Sequence, residues 1–190
     1  MNILAVDATG ETMTVALGAV ELSSKSKKHD DALLPLIERV LKKAKRTWKD
    51  LDAIAVASGP GRFTGIRIGM SFAAAAGFQL KIPVMAVSRL AAAAARSKED
   101  AVLGALPGWK DEVYTQEFRR GKALGAAIWT APAEWPALKA ASEKRGLTVS
   151  YGDTTAAHLL AVARAMLAAK KIPPFKPFYL KPASYERSGR

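Results

Sequence analysis

The chain has no cysteine, which excludes disulfide crosslinks and thiolate metal sites. Histidine is nearly absent too: His29 and His158 are the only two, and the pattern below places them in different halves of the molecule. No apolar run reaches the length of a membrane span; the longest, 68–80, is interrupted by Gly77 and Gln79 and bracketed by Arg67 and Lys81. The opening "MNILAVDATG" enters a strand pattern at once, with no basic leader and no small-residue cleavage site. The expectation is a soluble, cytoplasmic protein. Acidic side chains are scarce, 17 against 29 lysines and arginines, leaving a net charge of +12. Such a surface favours nucleic acid, acidic partners or anionic membranes. The excess is concentrated at Arg39–Lys49 and from Lys170 to Arg190, although solubility alone also accounts for a single basic cluster.

What is present reads as alternating strands and helices. "ILAV" and "TMTVAL" are strands joined by the turn "ATGE", and "VELSSKS" suits a third, edge strand. Leu33, Leu34, Ile37, Val40, Leu41 and Ala44 recur at helical spacing over 30–46, with Asp30 and Asp31 at the start and basic residues at the end. Pro35 is near enough the start to be tolerated, or it kinks the second turn. "AIAVAS" is a buried strand, 64–80 a helix, "PVMAVS" another strand and "SRLAAAAARS" a small helix. The order then recurs: strands at "AVLGAL", "EVYTQEF" and "LGAAIWT", a helix over 132–145, the strand "LTVSY" and a helix over 153–171. The grammar strand-strand-strand-helix-strand-helix appears twice without residue-level repetition. A proline-rich basic tail, 171–190, is expected to wrap back over the surface.

The segment "GPGRFTGIRIG" suggests a phosphate loop, but the spacing fails. A Walker-type loop needs Lys and a hydroxyl residue after its last glycine, where Ile66 and Arg67 stand. A dinucleotide fingerprint needs a third glycine at position 64, which is threonine, and belongs after the first strand. Instead, Gly65, Gly69, Ala73 and Gly77 form a smooth stripe every four residues. Each helical glycine costs up to roughly 1 kcal/mol against alanine, so the stripe needs a compensating close contact. That contact is either the chain's own 30–46 helix or a helix from a partner, and spacing does not choose between them.

Together, "ILAVDATGETMTVAL", "HDDALLPLIERVL", "DLDAIAVASGPGRFTGIRIGMSFAAAAGF", "IPVMAVSRLAA" and the late "FYLK" resemble, in order, the landmarks of the bacterial TsaB (YeaZ) family. The match is continuous over residues 3–95 and thin beyond. The resemblance implies an actin-like, sugar-kinase-like α/β fold of two lobes, 1–87 and a reduced 88–170, each a mixed sheet with helices. It implies a non-catalytic subunit that serves synthesis of threonylcarbamoyladenosine on tRNA beside the catalytic paralogue TsaD (both families once called glycoprotease-like) and the ATPase TsaE. The chain alone would be a homodimer, and tRNA would be met indirectly.

Both dimers would use helices 30–46 and 64–80, which turns the glycine stripe toward a partner. The implied contact residues are His29, Leu33, Leu34, Ile37, Val40, Arg62, Phe63, Gly65, Gly69, Ala73 and Gly77. For Phe63, a core plug at the helix start is an equal alternative. The paralogue's metal-binding histidine pair follows the strand matching "VMAVS"; here Arg89, Leu90, Ala91, Ala92 and Ala93 follow, and none is a ligand.

Asp7 matches the first carboxylate of actin-like ATPases and, with Thr9, is the candidate nucleotide contact, though a turn-capping role suits Asp7 better. The second carboxylate is missing from "ALPGWKDEVY", and near the expected adenosine turn only Gly152 remains. No tightly bound cofactor is expected, with ATP or ADP at a subunit interface left open. The competing readings are a small actin-like phosphotransferase or peptidase-like enzyme, and a stand-alone nucleic-acid binder.

Overall fold

The computed structural model describes residues 1–26 and 28–180; the last ten residues of the basic tail, with the lysine of "FYLK", lie outside the described residues. Three strands open the chain: β1 (Ile3–Asp7), β2 (Met13–Leu17) and β3 (Val20–Ser24). Helix α1 (His29–Lys43), strand β4 (Ala53–Gly59), helix α2 (Phe63–Leu80) and strand β5 (Val84–Ser88) follow. They form a five-stranded sheet in the order β3-β2-β1-β4-β5, with β1, β4 and β5 parallel and the hairpin strands antiparallel.

After helix α3 (Arg89–Ala94) come β6 (Ala101–Pro107), β7 (Val113–Arg119), β8 (Lys122–Thr130), α4 (Trp135–Lys144), β9 (Thr148–Tyr151) and α5 (Ala156–Ala168). The second sheet runs β8-β7-β6-β9, again a meander with one parallel strand added beside its first. The duplicated grammar is therefore a duplicated topology. The α1 helix runs unbroken past Pro35, which is exposed and close to the start, where a missing N–H is tolerated.

Layering explains why β1 and β4 are apolar up to Asp7 and Ser58 at their carboxyl ends. On one face Leu4, Val6, Val15, Ile54 and Val56 meet Leu36, Ile37 and Val40 of α1 and Ile66, Met70 and Ala73 of α2. On the other, Ile3, Ala5, Ala55, Met85 and Val87 meet Leu159, Leu160 and Ala163 of α5. Strands covered on both sides read as continuous hydrophobic runs. The last helix of the second repeat thus crosses to close the first sheet, while α3, which follows the first sheet, packs Leu90, Ala93 and Ala94 against Val102, Leu106 and Phe118 of the second.

This layering corrects the reading of the glycine stripe. Gly65, Gly69, Ala73 and Gly77 are buried against the chain's own strands. A Cβ at Gly65 would run into the Ala8 carbonyl, one at Gly77 into Val84, and one at Gly69 would lie 3.2 Å from Val56 Cγ2. Small residues let the helix approach a sheet edge-on to its backbone rather than another helix. Leu33, Ile37 and Val40 are core residues for the same reason, each at most 3% exposed. All seven are buried within the chain itself.

Candidate functional site

The carboxyl ends of parallel strands β1, β4 and β5 converge beside the start of α3 and the loop ahead of α5. In open α/β sheets this crevice is the usual ligand site. Here it is filled from within. Asp7, ending β1, is 2% exposed and Arg89, opening α3, is 3% exposed. Asp7 Oδ1 accepts from the Thr9 amide at 2.9 Å and from Thr9 Oγ1 at 2.6 Å, a turn-capping role.

Its other oxygen, Oδ2, faces Arg89 Nε at 3.2 Å. Arg89 also donates to Thr154 Oγ1 at 2.9 Å and to the Pro60 carbonyl at 2.9 Å, and pairs through Nη2 with Asp153. One guanidinium thereby binds β1, the loop after β4 and the loop before α5. A buried charge tolerates its surroundings only when paired and hydrogen-bonded in this way.

The glycine turn expected near an adenosine is closed as well. Arg96 donates to the carbonyls of Asp153 at 2.9 Å, Gly152 at 3.2 Å and Ser150 at 3.5 Å. Asp7 and Thr9, the candidate nucleotide contacts, are therefore turned inward and committed to each other and to Arg89. The residues present do not fit a magnesium nucleotide in this cleft: the buried carboxylate that would order the metal already carries an arginine. Among the described residues no three His, Cys, Asp or Glu side chains come together. Arg89 was read in the sequence only as a non-ligand. Its position immediately after a parallel strand was the available signal.

The two histidines have separate structural tasks. His29 is 7% exposed, and its Nδ1 sits 3.1 Å from the Ala8 carbonyl, tying the start of α1 to the end of β1. His158 Nδ1 accepts from the Thr155 amide at 3.0 Å and caps α5. Burial, helped by the positive charge of Arg96, pushes the His158 imidazole below its ordinary value.

Phe63 is neither a core plug nor fully free. Its ring is half-buried, with the Arg67 guanidinium 3.9 Å from its centroid on one side and Tyr179 of the tail at 5.1 Å. The tail is held there by a hydrogen bond from the Phe178 amide to the Ser58 carbonyl, 2.7 Å.

The outward face of the α1–α2 layer is the remaining feature. Leu34 is 52% exposed and Phe78 is 87% exposed. Arg67, Ser71, Ala74 and Ala75 are exposed on the same helix as Phe78. The helical spacing that puts Gly65, Gly69, Ala73 and Gly77 inward puts Ala74 and Phe78 outward.

Two mixed sheets sharing a central helical layer, with a crevice at the carboxyl ends of the parallel strands, define an actin-like two-lobed α/β protein. A family model described as "TsaD: tRNA N6-adenosine threonylcarbamoyltransferase" matches residues 10–144. The chain is 36% identical over 137 residues to the tRNA threonylcarbamoyladenosine biosynthesis protein TsaB of Buchnera aphidicola (from Schizaphis graminum), 67% of this chain and 64% of that protein. It is 34% identical over 129 residues to TsaB of Escherichia coli K12, 63% of this chain and 56% of that protein. The solved structure of YeaZ from Pseudomonas aeruginosa superposes with a TM-score of 0.73 at 26% identity, covering 94% of this chain and 99% of that one. The chain belongs to the TsaB (YeaZ) family, paralogous to TsaD. In sequence it spans somewhat under two thirds of the curated relatives it matches.

Proposed function

We propose that this protein is a non-catalytic subunit of a tRNA threonylcarbamoyladenosine assembly, paired with the catalytic TsaD paralogue through the outward face of α1 and α2. The observation that carries the reading is the contrast between two surfaces. The crevice where an actin-like enzyme holds its nucleotide is stapled shut by Arg89, while the flanking helical layer leaves Phe78 87% exposed to solvent. A large exposed aromatic beside small side chains is the composition of an interface anchor.

The contact set differs from the one the resemblance implied. Leu34 is kept from that set, and Arg67, Ser71, Ala74 and Phe78 replace the buried stripe. A homodimer of the isolated chain would use the same face, and TsaE would join the completed pair. Arg39, Lys42, Lys43, Lys45, Arg46 and Lys49 are all exposed at the end of α1. In an assembly that holds tRNA they supply a sequence-independent, salt-sensitive attraction for phosphates.

Mixing the purified chain with the TsaD paralogue and sizing the product tests the pairing. A stable one-to-one complex, lost on Phe78→Asp, is the expected result. Failure to associate, or association indifferent to Phe78, overturns it. Steady phosphate release from ATP by the isolated chain would favour the enzyme reading instead.

A further inference from the structure

Between the starts of α1 and α2 lies a cavity of about 110 Å3, walled by His29, Asp30, Arg62, Thr64, Gly65 and Ile68. We propose that it binds a phosphate-type oxyanion. The pairing reading is not needed for this, and the isolated chain suffices to test it.

Three observations converge on the cavity. First, His29 lies in its wall with Nε2 buried and without a hydrogen-bond partner. Its Nδ1 faces the Ala8 carbonyl; a carbonyl only accepts, so Nδ1 carries a hydrogen, and Nε2 is the nitrogen left to gain or lose a proton. Second, α2 begins here, and its 18 residues have neither a capping side chain nor an acidic residue in the first turn. The leading amides of such a helix carry a partial positive charge suited to an anion. Third, Arg62 stands at this helix start, is exposed, and has no ion-pair partner among the described residues. Thr64 adds a hydroxyl.

The opposing charges are Asp30 in the wall and Asp31 beyond it. Asp31 pairs with Lys28 at 3.9 Å, and both aspartates serve the amino end of α1. An unpartnered imidazole beside Asp30 would by itself also suit a metal cation. The helix end and Arg62 oppose that and favour an anion, which takes a hydrogen bond from Nε2 once the ring is protonated. The volume admits one phosphate group and excludes a nucleoside with it, so the source is free phosphate or the terminal phosphate of a nucleotide lying outside.

The test uses the full isolated chain, isotope-labelled, titrated with sulfate at ionic strength held constant with chloride. Sulfate is a fully ionised stand-in for a phosphate group at neutral pH. The expected result is saturable shifts of the His29 ring and the Thr64 and Gly65 amides. Arg62→Ala should weaken binding by about tenfold or more, since it removes a charge-assisted donor. Lys139→Ala, on the exposed face of α4, should leave it unchanged.

His29→Gln should weaken binding; if that variant does not fold, the surface variant Arg62→Ala decides alone. Parallel titrations with inorganic phosphate and ADP separate the sources: equal affinity supports free phosphate, tighter ADP binding supports a nucleotide. Non-saturating shifts, indifference to Arg62→Ala, or ring shifts produced by zinc chloride and not by sulfate would each overturn the proposal.

Discussion

Arg89 Nε lies 3.2 Å from Asp7 Oδ2, with both side chains almost wholly removed from solvent. The pair joins the last residue of the first strand to the first residue of α3, and through Asp153 and Thr154 it reaches the loop that launches α5.

Breaking the pair from one side should therefore cost more than removing it whole. Arg89→Met is expected to lower unfolding free energy by about 3–5 kcal/mol, because Asp7 is left buried and uncompensated. The double variant Asp7→Asn/Arg89→Met should recover a large part of that loss. Urea unfolding of the two singles and the double gives the coupling; strictly additive losses would contradict it.

Alanine at Gly65 should destabilise the protein, against the usual helix preference. Alanine is normally favoured over glycine in a helix by up to about 1 kcal/mol. Here its Cβ would meet the Ala8 carbonyl and lie 3.1 Å from Thr9 Cα, backbone atoms that cannot swing aside. A net loss of roughly 1–3 kcal/mol is expected in denaturant unfolding. An unchanged or raised midpoint would mean that α2 does not press on β1.

Phe78→Asp should act on association alone. The side chain is 87% exposed, so the stability of the isolated chain should move by no more than about 0.5 kcal/mol. Co-elution with the TsaD paralogue is expected to disappear. Chromatography alongside thermal unfolding checks both halves, and a destabilised monomer would discredit the placement of Phe78.

Acidification should loosen α5 through His158. Its pKa is lowered in the folded protein from an ordinary 6.5, first by burial and then by Arg96. The unfolded chain therefore takes up the proton at higher pH than the folded one. Stability contributed by the neutral ring is full above about 6.5 and falls as pH drops through the folded value. Protonating Nδ1 also removes the acceptor for the Thr155 amide. In His158→Gln this part of the pH dependence should flatten between about pH 7.5 and 5.5 in denaturant titrations; an unaltered profile would exclude the cap as its origin.

Element identities were legible because each carries a clear period or composition. The 30–46 and 64–80 helices are realised as 29–43 and 63–80, and the repeated strand-helix grammar is realised as two sheets of matching order. The face of α2 was not legible. A stripe of Gly65, Gly69, Ala73 and Gly77 reports that something comes close, and strand backbone satisfies it as well as helix backbone does. Arg89 was equally opaque: its partners lie 82 and 64 positions away, at Asp7 and Asp153. Nor does the apolar pattern of α5 say which sheet it covers, since Leu159 and Leu160 would suit either.

The crossing of α5 has a consequence for how the molecule is made. The underside of the first sheet, at Ile3, Ala5, Ala55 and Met85, is roofed by side chains from residues 156–163. A nascent chain leaving the ribosome therefore carries an uncovered greasy floor until residues 156–163 have been translated. Premature termination anywhere before that helix would yield a fragment with its first sheet half-dressed, a natural target for holdase capture and degradation.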